Sequence, residues 1–343
     1  MAELDTRRNR IMALWLFGMC VMVFVMVVLG GLTRLTHSGL SIVEWNPVTG
    51  FVPPLNEADW QRLFEQYQQY PEFKKVNAGM DLQGFKGIFW LEFVHRVWGR
   101  MMGLAFFFPA LFFVLRGWVD RRLGRHFAGM FLLGGLQGAL GWFMVASGLV
   151  DNPDVSHYRL TAHLGAAVAI FAYMLWIGMD LMSPERHLPV GALSGHARRL
   201  AGLVFLTILS GGLVAGLDAG FSYNTFPLMD GRFVPDGYLD HSPWWINFFE
   251  NLPAVQFDHR ILAESTLALI LAFWWKARQA GLSRRAHLAV NALALAVTVQ
   301  VALGIATLLL VVPVGIAATH QAGAVVLLAA ALWAAHALRP EER

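Results

Sequence analysis

Eight apolar runs, each long enough to cross a lipid bilayer as a helix, recur along this chain of 343 residues. The bilayer core offers no water, so a spanning segment must satisfy its own backbone groups, as a helix of about 20 residues does. With 57% hydrophobic and 14% charged residues, the chain is predicted to be an all-α membrane protein with eight transmembrane helices. The predicted spans are about 11–33, 87–115, 127–150, 160–182, 199–217, 257–275, 288–312 and 316–337.

Basic residues are concentrated in the N-terminal tail and in every second loop. Because Lys and Arg are enriched on the cytoplasmic side, this pattern predicts that both termini are cytoplasmic. The first span lacks a signal-peptide cleavage site, and no Arg- and Ser-rich transit segment precedes it. These features favour the inner (cytoplasmic) membrane of a bacterium. Topology accounts for the basic residues, so membrane lipid is a predicted partner and nucleic acid is not.

The sequence repeats itself weakly, with four spans in each half. An even number of spans returns the chain to its starting side, so the halves are predicted to be parallel repeats. They would form two pseudo-symmetric four-helix bundles, residues 1–183 and 184–343. The matching segments are GGLTRLTHSGLS (30–41) with GGLVAGLDAGFS (211–222), EFVHR (92–96) with QFDHR (256–260), LQGALG (136–141) with VQVALG (299–304), and TAHLGAA (161–167) with ATHQAGA (318–324).

Two connections on the non-cytoplasmic side are long, about residues 34–86 and 218–256. The first contains NEADWQRLFEQYQQY (56–70), in which apolar residues recur at helical spacing. This pattern predicts an amphipathic helix that lies on the membrane surface, caps the first half or has no functional role. The single cysteine, Cys20, excludes an intrachain disulfide.

Four histidines lie at matching depths near the outer ends of the even-numbered spans. In the repeat, His95 corresponds to His259 and His163 to His320. Ionisable residues inside a membrane are rare and mark functional sites. Two histidines on facing helices suit the axial positions of a heme iron, whereas a closed zinc site would need more ligands.

Arginines accompany these histidines. Arg96 and Arg260 each follow a histidine directly, and Arg100 and Arg159 lie nearby. Arginine binds carboxylates, so these side chains are expected to hold heme propionates. The alternative is an interfacial role in which the charge extends to the membrane surface.

Small residues follow the other two histidines, in GAA (165–167) and AGA (322–324). A glycine at these places would let a flat ring approach the backbone. It would equally allow two helices to pack closely, and both interpretations stay open.

At these residues the chain resembles heme A synthase, over nearly its whole length. The resemblance is carried by GGLTRLTHSGLSI, EFVHR, TAHLGAA, FDHR and ATHQAGA, in this order. It implies oxidation of the methyl group at position 8 of heme O to a formyl group, through successive hydroxylations and loss of water. The product would be heme A for terminal cytochrome oxidases. The implied partners are heme O, heme O synthase, the oxidase assembly machinery and an unidentified electron acceptor.

The resemblance also implies roles for single residues. His259 and His320 would ligate a heme b cofactor, and His95 and His163 would flank the iron of the substrate heme. Glu92 corresponds to the acidic residue of the family's glutamate-x-x-histidine motif. Because the first outer loop has no cysteine pair, the chain resembles the cysteine-free class that includes the mitochondrial enzymes.

The repeat itself suggests which half performs the chemistry, because Glu92 aligns with Gln256. Residues three apart share a helix face, so Glu92 is expected beside His95. A carboxylate can accept a proton or stabilise positive charge, and an amide cannot accept the proton. A structural ion pair with an arginine is the alternative. The first half is therefore predicted to be catalytic, with the heme sites toward the outer face and the long first loop as a lid.

Two other classes of protein stay open. A diheme b-type membrane cytochrome for electron transfer would need the same four histidines. A heme-binding assembly or transport protein could have the same parallel repeats. The Glu/Gln difference and the whole-chain resemblance favour the enzyme.

Overall fold

The computed structural model describes residues 2–46, 50–149, 155–182 and 192–339. Within these ranges the regular secondary structure is helical, which confirms the predicted all-α class. The helices are α1 (Ala2–Leu35), α2 (Glu57–Tyr67), α3 (Pro71–Lys75), α4 (Leu82–Leu115), α5 (Arg121–Gly148), α6 (His157–Met182), α7 (Ala192–Gly216), α8 (Asn247–Glu250), α9 (Leu252–Arg278), α10 (Arg284–Leu309) and α11 (Val314–Ala337), with short 3-10 helices at Ala219–Phe221 and Trp244–Ile246.

Seven helices in the described ranges are long and apolar enough to cross a membrane: α1, α4, α5, α6, α7, α10 and α11. The chain is therefore a multi-pass membrane protein. Helix α9 corresponds to the sixth predicted span and has 27 residues, which is enough to cross. It carries Asp258, Arg260 and Glu264, and these charges keep it outside the apolar set.

Helix ends differ from the predicted spans because caps and backbone conformation, rather than hydropathy, set them. Helix α4 begins several residues before its apolar run, where the Asp81 carboxylate accepts from the Gly84 amide at 2.8 Å and satisfies a free N–H. Helix α10 stops at Leu309, before the predicted end near residue 312. Val311 and Val312 there adopt left-handed φ angles of 61° and 55°, which end the helix.

The described chain falls into two compact units. One contains residues 22–163, and the other contains residues 1–21 and 164–343. In the second unit, α7, α9, α10 and α11 pack against one another around fully buried residues such as Ile270 and Leu293. The predicted boundary between residues 183 and 184 lies outside the described residues, so the division into halves 1–183 and 184–343 stays a prediction.

The amphipathic helix predicted in the first long loop is present as α2. Its buried residues Trp60, Phe64 and Tyr67 pack against Phe85 and Phe89 of α4. The rings of Trp60 and Phe89 meet edge to face, with their centroids 4.9 Å apart. These aromatic contacts fix α2 over the first turns of α4, which favours the capping role among the three predicted.

A polar cluster around one buried histidine joins the C-terminal ends of α6 and α11. The Asp180 carboxylate binds Arg339 and lies 3.1 Å from Nε2 of His336. Arg285 of α10 donates to Nδ1 of His336 at 3.1 Å. A neutral imidazole carries one proton, so Nε2 holds it and donates to Asp180. The cluster therefore ties three helices together through one histidine that is 2% exposed.

Candidate functional site

His95 and His163 lie in the unit of residues 22–163, and each ring rests against a glycine of a different helix. A Cβ placed on Gly30 of α1 would stand 3.3 Å from Nε2 of His95. One placed on Gly141 of α5 would stand 2.9 Å from Cε1 of His163. An added Cβ would displace the His163 ring and crowd the His95 ring, so glycine favours this close approach of each imidazole to the neighbouring backbone. The two imidazoles are near enough to interact electrostatically.

His259 and His320 repeat this arrangement in the other unit. The corresponding Cβ positions are those of Gly211 on α7, 3.1 Å from Cε1 of His259, and Gly304 on α10, 2.9 Å from Cε1 of His320. These two imidazoles also interact electrostatically. The internal repeat therefore extends from the sequence to the local packing of all four histidines.

Two glutamines fix the helix backbone at the second histidine of each pair. Gln137 Nε2 donates to the His163 carbonyl and Gln300 Nε2 to the His320 carbonyl, both at 2.9 Å. The sequence prediction did not include these glutamines among the site residues. Their signal is present in the repeat, because each is the second residue of the matched segments LQGALG and VQVALG.

The glycines of GAA and AGA lie against side chains rather than against an open face. A Cβ on Gly165 would approach Cδ2 of Leu209 to 2.6 Å, and one on Gly323 would overlap Oε1 of Gln300. Both glycines therefore serve close helix packing, the second of the two interpretations. The glycines that face histidines are in other segments of the repeat.

The Glu92 carboxylate is 2% exposed and is held by four hydrogen bonds. Its Oε2 accepts from Ser41 Oγ at 2.6 Å and from the Ile42 amide at 2.9 Å. Its Oε1 accepts from Nε of Arg96 at 2.9 Å and from Nη2 of the same side chain at 2.5 Å. The ion pair named as the alternative is thus present, and any chemistry at Glu92 involves a carboxylate fixed in place.

Arg96 and Arg260 make the same contacts in the two units. Each guanidinium donates from Nη2 and Nη1 to two carbonyls of the loop before its helix, and so ties that loop down. In the part of the chain that the structure describes, Nε of Arg260 is buried without a partner, which leaves a donor for a ligand. The carbonyls are those of Ile42 (2.7 Å) and Glu44 (3.2 Å) for Arg96, and Tyr223 (2.8 Å) and Thr225 (2.8 Å) for Arg260.

Gln256 occupies the place of Glu92 in the second unit, at the same 2% exposure. Its Nε2 donates to the Tyr223 carbonyl at 3.1 Å, and its Oε1 is buried with no partner among the described residues. An uncharged amide therefore fills this position without disturbing the arginine contacts. The loop attachment alone does not require a carboxylate.

A cavity of about 250 Å³ lies between the first outer loop, α2 and α4. Arg96 and Arg100 line it, and Arg100 donates to the Asn46 carbonyl at 2.7 Å. The volume is below the range of about 300–1,000 Å³ that is typical of small-molecule pockets, so the cavity suits a side group of a ligand better than a whole porphyrin. Arg159 lies instead over the ring of Phe143, 4.5 Å from its centroid.

Glu72 is a second buried carboxyl near this loop, at 5% exposure. Burial raises its pKa to about 7. A hydrogen bond of 3.0 Å from the Tyr67 hydroxyl opposes that rise, and the charge of Glu92 adds to it. Glu72 is therefore largely protonated below about pH 7, which limits the negative charge beneath α2.

Comparison with known proteins identifies the family. Residues 13–332 match the family described as cytochrome oxidase assembly protein. A protein of Nitrosospira multiformis named heme A synthase is 56% identical over 331 residues, which cover 95% of this chain and 93% of that protein. The chain belongs to the heme A synthase family. Heme A synthases of Paramagnetospirillum magneticum and Nitrosomonas eutropha are 52% and 51% identical, over 98% and 96% of this chain and 96% and 94% of theirs. The resemblance carried by the motifs is confirmed.

The histidine pairs of this chain fit hemes as ligands. Each pair supplies two imidazoles from different helices, the donor set for axial ligation of a heme iron. The Nδ1 atom of His163 is buried and has no hydrogen-bond partner in the described ranges. The single cysteine, Cys20, is free and buried, in keeping with the predicted absence of a thiol pair.

Proposed function

We propose that this protein oxidises the methyl group at position 8 of heme O to a formyl group, which makes it a heme A synthase. The observation that carries the proposal is 56% identity over 331 residues to a protein named heme A synthase. In each of two hydroxylations, a C–H bond of the methyl carbon would be replaced by a C–OH bond with oxygen from water, releasing two electrons and two protons. The geminal diol would then lose water to give the formyl group. The electrons would leave to an acceptor outside the chain. The family's description as cytochrome oxidase assembly protein supports a terminal oxidase as the destination of heme A.

Heme b is proposed as the resident cofactor of the second half, with His259 and His320 as its axial ligands. Heme O is proposed as the substrate of the first half, flanked by His95 and His163. Bound at its site, heme b would relay electrons from the substrate half toward the acceptor. The family resemblance and the difference between Glu92 and Gln256 support this division.

The groups around the imidazoles support the same division. Nδ1 of His259 lies 2.8 Å from Ser210 Oγ. The second histidine of each pair has its own glutamine nearby, with Gln300 Nε2 3.1 Å from Nδ1 of His320 and Gln137 Nε2 3.5 Å from Nε2 of His163. A fixed imidazole at His259 suits a cofactor that stays.

Glu92 is proposed to act as a fixed negative charge beside the methyl group being oxidised. Four hydrogen bonds hold the carboxylate in place, so little reorganisation is needed when positive charge develops at the carbon. The Gln256 amide carries no charge for this purpose. Arg260 is proposed to bind a propionate through Nε, which has no partner among the described residues, and Arg96 through the Nη1 proton that the Glu44 carbonyl does not take.

We further propose eight membrane crossings, with α9 as the additional one. Its polar residues would then face a heme site rather than lipid, which explains its lower hydropathy. Both termini would be cytoplasmic and the heme sites would lie toward the outer face of the bacterial inner membrane. The four-helix halves would be residues 1–183 and 184–343, with α2 and its loop as a lid. Heme O synthase and the oxidase assembly machinery are the proposed partners.

Co-expression of the chain with heme O synthase, in a host that lacks heme A, tests the function. Extracted hemes are expected to contain heme A, identified by chromatography and mass. A matched culture that expresses heme O synthase alone should contain heme b and heme O without heme A. If the full chain also gives only heme b and heme O, the protein is a diheme cytochrome or a heme-binding assembly protein instead.

The glycine contacts give a second test, on heme content. Gly304→Ala is expected to lower purified heme b about tenfold, because the added Cβ would stand 2.9 Å from Cε1 of His320 and move a ligand. Gly202→Ala is the control, since nothing lies within 4 Å of its added Cβ. Heme b per protein is measured as the pyridine complex. Wild-type content in Gly304→Ala would show that this contact does not position the ligand.

A further inference from the structure

Ser210 stands between a backbone carbonyl of its own helix and the imidazole of His259. Its Oγ donates to the Thr207 carbonyl at 2.8 Å and lies 2.8 Å from Nδ1 of His259. The ring of His259 therefore faces the Ser210 oxygen on this side.

The number of available protons decides the direction of these bonds. A serine hydroxyl has one proton, and Ser210 gives it to the Thr207 carbonyl. Its oxygen must then accept from His259, and a carbonyl can only accept. Nδ1 of His259 therefore carries the ring proton, so Nε2 keeps its lone pair for a metal.

The first unit lacks this hydroxyl. In the repeat, Gly30 aligns with Gly211, so the residue that corresponds to Ser210 is Leu29. A leucine side chain offers no acceptor to an imidazole. Ser210 and Leu29 thus distinguish the surroundings of His259 from those of His95. Glu92 and Gln256 distinguish the same two histidines in a second way.

We propose that Ser210 is a positioning residue that fixes the Nδ1–H tautomer of His259 and so makes the second half a permanent heme site. Leu29 leaves His95 without this constraint, as a site that releases its product requires. The inference rests on the proposed heme b ligation by His259 and His320. A hydrogen bond from Nδ1–H makes the opposite nitrogen more basic, and loss of such a partner costs roughly 10–100-fold in metal affinity.

Purified full-length variants test this role without measuring heme A formation. Ser210→Ala is expected to raise the midpoint potential of heme b, because a less basic imidazole stabilises ferric iron less. It should also speed transfer of heme b to apomyoglobin about tenfold. Ser210→Thr keeps a hydroxyl and should return both values toward wild type.

Ser147→Ala is the matched control, since Ser147 Oγ also donates to the carbonyl three residues earlier, that of Met144, at 2.7 Å. It should leave the potential and the transfer rate unchanged. Wild-type values in Ser210→Ala, with heme b bound, would overturn the inference alone. If wild-type protein retains no heme b through His259 and His320, the cofactor assignment fails instead. Should Ser210→Ala not accumulate, Ser210→Cys, a weaker acceptor of similar size, is expected to shift both values in the same direction.

Discussion

Replacing His259 or His320 with alanine is expected to leave the purified protein with roughly a tenth or less of the wild-type heme b. Each imidazole is a proposed axial ligand, and alanine supplies no donor to the iron. The measurement is heme b per protein, with the reduced spectrum as a check on ligation. His95→Ala and His163→Ala should keep heme b and lose bound heme O.

His287→Ala controls for the loss of a histidine as such, because His287 lies in the first turn of α10, away from both proposed ligands. If His259→Ala and His320→Ala both retain wild-type heme b, the cofactor is held elsewhere. A loss of heme b in His95→Ala but not in His259→Ala would exchange the roles of the two halves.

Glu92→Gln is expected to keep heme b and to reduce conversion of heme O to heme A by at least about 100-fold. The second unit already has glutamine at this position, with its arginine still bound to the loop carbonyls. The variant therefore removes the charge while the loop can remain attached. Heme A per heme O is measured in membranes, and heme b per protein in the same preparation.

A purely structural role for Glu92 predicts a different pattern. Removing one partner of a buried ion pair can cost about 3–5 kcal/mol, so thermal stability and heme b would then fall together with activity. Glu44→Gln is the control, because Glu44 is an exposed carboxylate of the same loop. Full activity in Glu92→Gln would exclude the proposed charge stabilisation.

The sequence predicted the features that depend on composition and on the repeat. Hydropathy located the long helices, and the alignment of EFVHR with QFDHR paired His95 with His259 in equivalent packing. The same alignment contains Gly30 with Gly211 and Gln137 with Gln300, whose importance becomes apparent only from the contacts. The repeat marks these residues as matched positions, and their side-chain contacts show why they matter.

Other features could not be predicted from the sequence because they depend on which loop residues contact which helix. Hydropathy cannot show that Arg96 donates to the carbonyl of Ile42, or that Glu92 accepts from Ser41. The choice between ring access and helix packing at Gly165 likewise depended on Leu209, a residue far away in the chain. Helix α9 shows the opposite difficulty, since its charged residues lower the hydropathy of a helix that has the length of a span.

The cluster of Asp180, His336 and Arg339 has a consequence for biosynthesis. Asp180 is translated more than 150 residues before His336 and Arg339. Its carboxylate therefore lacks these two partners while α7 to α11 are synthesised. Water at the membrane surface must cover the charge during that time. The contacts of Asp180 with His336 and Arg339 can therefore form only after α11, the last helix, has been synthesised.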